Sequence, residues 1–433
     1  MIVKNEAALL PRCLASVVDV VDELVVVDTG STDDTRSIAA NFGARVSTFA
    51  WCDDFAAARN ASLALATGDW VLVLDADEVL APGGGAAITH AIAEADAVGH
   101  AGMTVLLDSV TRVGGELITT TLPLLRLLRN RPQVRFAGRV HEQASASILA
   151  NGWTIGASTA RIVHDGYLPE RVAALGKHER NLALVLAMRR DEPENAYAAY
   201  QHGKTLAAMS RYDDAIQPFT DALALLEAEP DPTATPFYGR TFLHLGLLHE
   251  KRGDDAAALE AYFAGTERIP TDAALWLAIG RLCATHGESA LAAGAFAQAI
   301  EHGDRWAGGV AYQAALAAGQ HRVTCGDTAG AAPLLAQACA WAPTTSAEAF
   351  EACGAVYAEL GRTDDAIGAA REALDRQPAS TPAALLLGAL LFERHDYAGS
   401  RAVLAPLAAR RPELADVRRL VAACDAALSG EPR

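Results

Sequence analysis

Two hydrophobic rhythms divide this chain. As far as His164, short apolar runs alternate with longer stretches of helical period. Val25–Val27 and Trp70–Leu74 are continuous apolar runs, the pattern of strands buried on both faces in a parallel sheet. Each run ends in an acid, Asp28 and Asp75. Between them, Gly30 permits a tight turn and Ser31 or Thr32 can cap a helix that runs to Gly43. Arg45–Phe49 reads as a short strand. Asp53-Asp54-Phe55 opens a helix over Ala56–Thr67 that carries Arg59 and Asn60 near its start. Met103–Leu107 and Ile118–Leu128 read as further strands. This alternation predicts a mostly parallel α/β sheet.

From residue 196 the rhythm changes. Strand signals vanish, alanine and leucine dominate, and a repeat emerges near the tetratricopeptide period of about 34 residues. Gly203, Gly246, Gly280, Gly319, Gly354 and Gly388 mark one small position of each unit, at spacings of 43, 34, 39, 35 and 34. Twelve residues after each come Ala215, Ala258, Ala292, Ala331, Ala366 and Ser400, so paired helices can approach closely. Pro270, Pro343, Pro378 and Pro412 fall at unit ends, where they stop a helix. A last helix near Pro412–Leu428 is expected to cap the stack. Phe219, Tyr262, Trp276 and Phe296 are expected to pack between helices. The expected division is residues 1–168, a helical bridge over 169–195, and helical repeats over 196–433.

Composition narrows the setting. The formal net charge is −17, which argues against general nucleic-acid binding. No apolar run is long enough to span a membrane, and Glu6 and Arg12 interrupt any signal-peptide core. Seven scattered cysteines form no Cys-x-x-Cys or zinc pattern, which fits a reducing cytoplasm.

The candidate chemistry begins at Asp75-Ala76-Asp77. In extended chain an i, i+2 pair points both carboxylates the same way. Ligands of open α/β sheets bind at the carboxyl edge, and paired carboxylates there suit Mg²⁺ or Mn²⁺ on a diphosphate. Farther along, Arg126, Arg129, Arg131, Arg135 and Arg139 fall within fourteen residues with no acid between them. Guanidinium forks suit phosphate oxygens, with a solvated basic loop as the alternative. The tandem His141–Glu142 then follows a strand-like run.

The blocks Met1–Glu6, VVVDTGSTDDT (25–35) and DDFAAARNASLALATGDWVLVLDADE (53–78) resemble family 2 glycosyltransferases of the GT-A fold. With the repeats, the chain is most similar to the branch that includes peptide S-glycosyltransferases of sublancin-type bacteriocins. It resembles lipopolysaccharide-core glucosyltransferases more distantly. The family's first strand starts earlier, so this chain opens inside that strand or has a short one.

The resemblance implies a Rossmann-like GT-A domain followed by an all-α tetratricopeptide solenoid. It implies a UDP-sugar donor, UDP-glucose or UDP-N-acetylglucosamine, a Mn²⁺ or Mg²⁺ cofactor and a peptide or protein acceptor. A homodimer through the repeats is also implied. Val3, Lys4, Asn5 and Glu6 would border uracil and ribose, and Asp28 would read the uracil imide. Gly30, Ser31, Asp54, Asn60 and Ala76 join the candidate nucleotide-sugar set. Arg59 would reach base or phosphate, Asp75 ribose or metal, and Asp77 the metal on the diphosphate. Arg126 and Arg129 fit the family's pattern best among the basic residues. GT-A enzymes often add a late histidine to the metal, here His164. Asp28 has a turn role as its alternative, Arg59 an ion-pair role, and His164 a packing role.

Inverting transfer needs a base near the acceptor proton. Many family members use an acidic pair at this stage of the chain. The tandem His141–Glu142 stands there instead, with Glu142 the first choice, His141 the second, and a structural Glu–Arg pair the alternative. Two other functions compete: a cell-envelope glycosyltransferase, and a repeat scaffold with a degenerate sugar domain.

Overall fold

The computed structural model of the chain describes residues 1–113, 116–164, 177–305, 309–344 and 346–429. It forms two compact units, Met1–Leu225 and Leu226–Arg433. The expected boundary at 168 and the start of the bridge lie outside the described residues.

In the first unit, β1 (Ile2–Val3), β2 (Val25–Asp28) and β3 (Arg45–Thr48) make a parallel sheet in the order β1-β2-β3. The register pairs Val3 with Asp28 and Asp28 with Thr48. Helices α1 (Leu10–Ala15), α2 (Thr35–Asn41) and α3 (Phe55–Leu65) follow these strands in turn. A second sheet joins β4 (Trp70–Leu72), β5 (Glu78–Leu80), β6 (His100–Val113), β7 (Glu116–Arg129) and β8 (Thr154–His164) in the order β4-β7-β6-β8-β5. Only β6 and β8 run parallel there; β4–β7, β6–β7 and β5–β8 are antiparallel. An apolar run signals burial but carries no direction, so the pairing of β4 was not readable from its pattern.

The apolar run Trp70–Leu74 leaves its ladder after Leu72, and the chain turns through Asp75–Asp77 into β5. Leu74 and Leu80 on either side of that turn sit in one core with Ile88, Met103, Leu127 and Ile162. A second cluster holds Val3, Leu10, Leu14, Val26 and Ala76. The turn is therefore anchored by buried apolar residues before, within and after it. Gly83 takes a φ of 77° and leads into α4 (Gly84–Val98). Helices α5 (Ser145–Ala150), α6 (Lys177–Asp191) and α7 (Ala196–Ala208) complete the elements used below.

The repeat glycines have a common contact. A Cβ on Gly203 would lie 2.6 Å from the Phe219 ring, and one on Gly246 would lie 2.0 Å from Tyr262. Gly280 meets Phe296 at 2.6 Å, Gly319 meets Leu335 at 2.6 Å, and Gly388 meets Leu404 at 2.4 Å. In each case the large side chain comes sixteen residues after the glycine. Gly354 departs, because Ala370 occupies the matching place and Leu386 fills the space. Phe219, Tyr262 and Phe296 are buried between helices as expected, and the Trp276 indole donates to the Pro270 carbonyl at 2.7 Å. The final helix runs over Ala415–Ser429. Among the described residues no helix is long and apolar enough to cross a membrane, and all seven cysteines are free.

Candidate active site

The carboxyl ends of β1 and β2 are stitched together. Asn5, at a φ of 56°, donates its backbone N–H to Ser31 Oγ at 2.9 Å. Its side-chain oxygen accepts from the Thr32 N–H at 2.8 Å, and Glu6 N–H donates to Thr35 Oγ1 at 2.8 Å. Asp28 is buried and accepts from the backbone N–H groups of Gly30 at 3.2 Å and Ser31 at 3.1 Å. Gly30 takes a φ of 110°, which a side chain would strain. Asp28 thus has the turn geometry that its position allows. Val3 is buried, whereas Lys4 and Asn5 line the exposed rim.

On α3, Asp54 caps the helix by accepting from Ala57 N–H at 2.9 Å. Asn60 clamps Phe136 from both sides: its amide donates to the Phe136 carbonyl and its oxygen accepts from the Phe136 N–H, each at 2.9 Å. Arg59, between them in sequence, points into the centre of the site.

That centre is a chain of ions. Arg59 donates through Nη2 to Asp75 at 2.7 Å and through Nε to Glu142. Arg126 donates to the other Asp75 oxygen at 3.1 Å and to Glu78. Glu78 also accepts from the Asp75 backbone N–H at 2.9 Å, closing the turn that carries the acidic pair. Arg59 and Glu142 side chains are each 10% exposed, whereas Asp75 is 33% exposed. Desolvation pushes the Asp75 carboxyl pKa up, but that opening limits it, and the Arg59 and Arg126 guanidiniums hold the group well below the usual carboxylate range. Burial pushes the Glu78 carboxyl upward, and the Asp75 charge adds to this against Arg126. Glu78 stands in the acidic motif, yet the sequence reading gave it no role. Its signal was a glutamate three residues beyond Asp75, where the turn must close.

Asp77 meets His164. The register of β5 with β8 pairs Glu78 with His164, and this brings His164 Nε2 to 3.4 Å from Asp77 Oδ2. One carboxylate and one imidazole fit a divalent cation whose other positions are filled by phosphate oxygens and water. Among the described residues no three His, Cys, Asp or Glu side chains converge as a metal cage. Asp75, read as a second ligand, faces the two arginines instead. Ala76 is buried beneath the turn.

Two expectations change. Arg129 is not at this site: it pairs with Asp96 at 2.5 Å and lies over the Trp70 ring, beside the start of β4. Three residues along a strand amount to roughly 10 Å and reverse the face, so Arg126 and Arg129 cannot both reach Asp75. Glu142, read first as a base, is the largely covered partner of Arg59, which is the structural pairing left open as its alternative. His141 beside it is exposed, at a φ of 54°, on a loop closed by a bridge between Ala137 and Gln143.

Residues 1–131 match the description Glycosyl transferase family 2, and residues 357–424 match a tetratricopeptide repeat. The chain is 38% identical over 310 residues to a TPR repeat-containing protein of Synechococcus elongatus, covering 69% of this chain and 74% of that one. It is 30% identical over 223 residues to the SPbeta prophage-derived glycosyltransferase SunS of Bacillus subtilis, covering half of each. A solved structure of the C-terminal part of a TPR repeat-containing protein from Cytophaga hutchinsonii aligns at 13% identity with a TM-score of 0.45, over 58% of this chain and 97% of that one.

Proposed function

The chain belongs to the family 2 glycosyltransferases that carry tetratricopeptide repeats, and from that premise we propose a metal-dependent, inverting transfer of a hexose from a UDP-sugar to a peptide or protein. The donor is UDP-glucose or UDP-N-acetylglucosamine. The acceptor atom is a cysteine sulfur or a serine or threonine oxygen, as in glycopeptide bacteriocin synthesis. The similarity to SunS supports the peptide acceptor. The observation that carries the reading is the turn Asp75–Asp77, with Asp75 locked by Arg59 and Arg126 and Asp77 set beside His164.

Charge supports the metal. Among the described residues, the ion pairs of the turn gather four carboxyl groups, Asp75, Asp77, Glu78 and Glu142, against two guanidiniums, Arg59 and Arg126. A nucleoside diphosphate is also anionic, so it approaches favourably only with cationic compensation. Asp77 and His164 are the residues that would hold Mn²⁺ or Mg²⁺, which when bound supplies neutralisation of charge on the departing diphosphate. Arg59 and Arg126 fix the turn through Asp75 and Glu78. The β1 and β2 loops form the rim where base and ribose are proposed to rest.

Glu142 already has a carboxylate oxygen engaged by the Arg59 Nε–H. His141 on the same loop is the second candidate for taking the acceptor proton; desolvation and Lys204 lower its imidazole pKa to about 4, which keeps it neutral and able to accept. A cysteine, with an ordinary pKa near ~8.5, depends less on a base than a serine does. Self-association through the repeats completes the proposal, and light scattering of the full chain tests it.

UDP release is the decisive measurement, with UDP-glucose and UDP-N-acetylglucosamine, with Mn²⁺, and with and without a cysteine-containing peptide. The expected result is metal-dependent release that the peptide increases. No release from either donor in the presence of metal and peptide would refute the reading.

A further inference from the structure

The loop that carries His141 and Glu142 is held from outside the sugar-binding sheets. Tyr197, near the start of α7, donates its hydroxyl to the His141 carbonyl at 2.9 Å. The Gln143 side-chain amide donates to the same hydroxyl at 3.0 Å. Arg139, at the other end of the loop, pairs with Asp191 at the end of α6 at 2.5 Å. Val140 is buried against Leu184 and Val185 of α6. All these residues belong to the first compact unit, Met1–Leu225.

His141 holds a left-handed backbone that non-glycine residues rarely adopt without a constraint. The Ala137–Gln143 bridge closes the loop, but it leaves the His141 carbonyl for the tyrosine. The next residue, Glu142, reaches Arg59, which reaches Asp75. Hydrogen bonds at Tyr197, Glu142 and Arg59, joined through the His141–Glu142 backbone, therefore link the first repeat helix to the acidic turn.

We infer that Tyr197 is a positioning residue for sugar transfer: its hydroxyl fixes the His141 carbonyl and, through that loop, the placement of His141 and Glu142 against Arg59. This rests on the transferase reading above. It also assigns the first repeat helix to the catalytic unit rather than to acceptor recognition alone. The donor side keeps its own anchors, since Arg126 and Glu78 hold Asp75 without help from the loop.

Tyr197→Phe in the full chain removes one oxygen and keeps the ring. Two readouts are taken: amide hydrogen exchange of segment 137–143, and kcat and KM for UDP release. Loss of one hydrogen bond is expected to speed exchange of that segment about fivefold and to lower kcat by a similar factor. KM for the donor should stay within about twofold, because Arg126 and the Glu78-closed turn still hold Asp75 when the loop loosens. A substitution that merely weakened folding would lower kcat only in step with the melting temperature and would speed exchange throughout the unit. Wild-type exchange and wild-type kcat would overturn the inference. Should Tyr197→Phe fail to fold, Gln143→Leu removes the second bond to the hydroxyl and must raise exchange of the same segment. If the wild-type chain releases no UDP, the transferase reading fails, whereas the exchange measurement still decides the role of Tyr197.

Discussion

The two compact units are stabilised in opposite ways. In the first, a few side chains each have named partners: Asp75 has two arginines, Arg59 has two carboxylates, and Glu78 has an arginine and a backbone N–H. None can be exchanged for another. In the second, one contact recurs, a glycine receiving a large side chain from the next helix. The repeat distributes its stability over equivalent units, so its individual contacts carry little chemistry. The first unit concentrates its chemistry in one turn, where a single change reaches several partners at once.

The largest expected effect tests that concentration. Asp77→Ala removes the carboxylate beside His164 and should lower UDP release by about 10²–10³-fold or more. Calorimetric unfolding should barely change. EDTA should act likewise on the wild-type chain, with Mn²⁺ or Mg²⁺ restoring activity. Full activity in EDTA would remove the metal from the proposal.

Arg126→Met comes next. It leaves buried Glu78 without its arginine, and breaking a buried ion pair from one side costs about 3–5 kcal/mol. The unfolding transition of the first unit should fall by that amount while the second stays in place. An unshifted first transition would mean that Glu78 has found another partner or is neutral.

The repeat unit gives smaller numbers and a built-in control. Gly246→Ala places a Cβ where Tyr262 already packs, and overpacking of this kind costs about 1–3 kcal/mol. Gly294 lies in the helix Ser289–His302 with nothing within 4 Å of its Cβ position. Gly294→Ala should instead stabilise by about 0.4–1 kcal/mol, through helix preference and reduced freedom of the unfolded chain. Opposite signs for the two glycines, with acceptor-independent UDP release unchanged in both, would sharpen the contrast. Equal losses would show that the second unit is not assembled through these contacts.

The same contrast governs what the sequence revealed. The repeats were legible because their signal recurs: Gly203 through Gly388 mark the close approaches, and Phe219, Tyr262 and Phe296 fill them. The acidic turn was legible because two acids followed an apolar run. Its partners were not, because Arg59 and Glu142 lie 83 residues apart and no local period links them. The arginine cluster looked like one basic surface, yet strand alternation and distinct loops send its members to different acids and rings. Arg129 lies over Trp70, Arg131 over Trp153, and Arg139 pairs with Asp191. Glu78 carries a local signal of a different kind, since a carboxylate following an acidic pair can close a turn as readily as bind a ligand.

The smallest expected effect separates Arg129 from Arg126. Both stand on β7, and both were expected near phosphate. Arg129 instead meets Asp96, whose side chain is 49% exposed, and the Trp70 ring. A partly exposed ion pair is worth at most about 1 kcal/mol, and a cation over a half-buried ring at the surface adds about 0.5–1 kcal/mol. Arg129→Ala should therefore cost no more than about 1–2 kcal/mol of first-unit stability. Its donor KM and its kcat should match wild type, because the changed atoms lie beside the start of β4 and the acidic turn lies beyond its end. High salt should shrink even that small stability difference, as solvent-exposed charges are screened. A raised donor KM in Arg129→Ala, with Arg126→Met unaffected, would reverse the assignment of the two arginines and move the diphosphate to the other end of the strand.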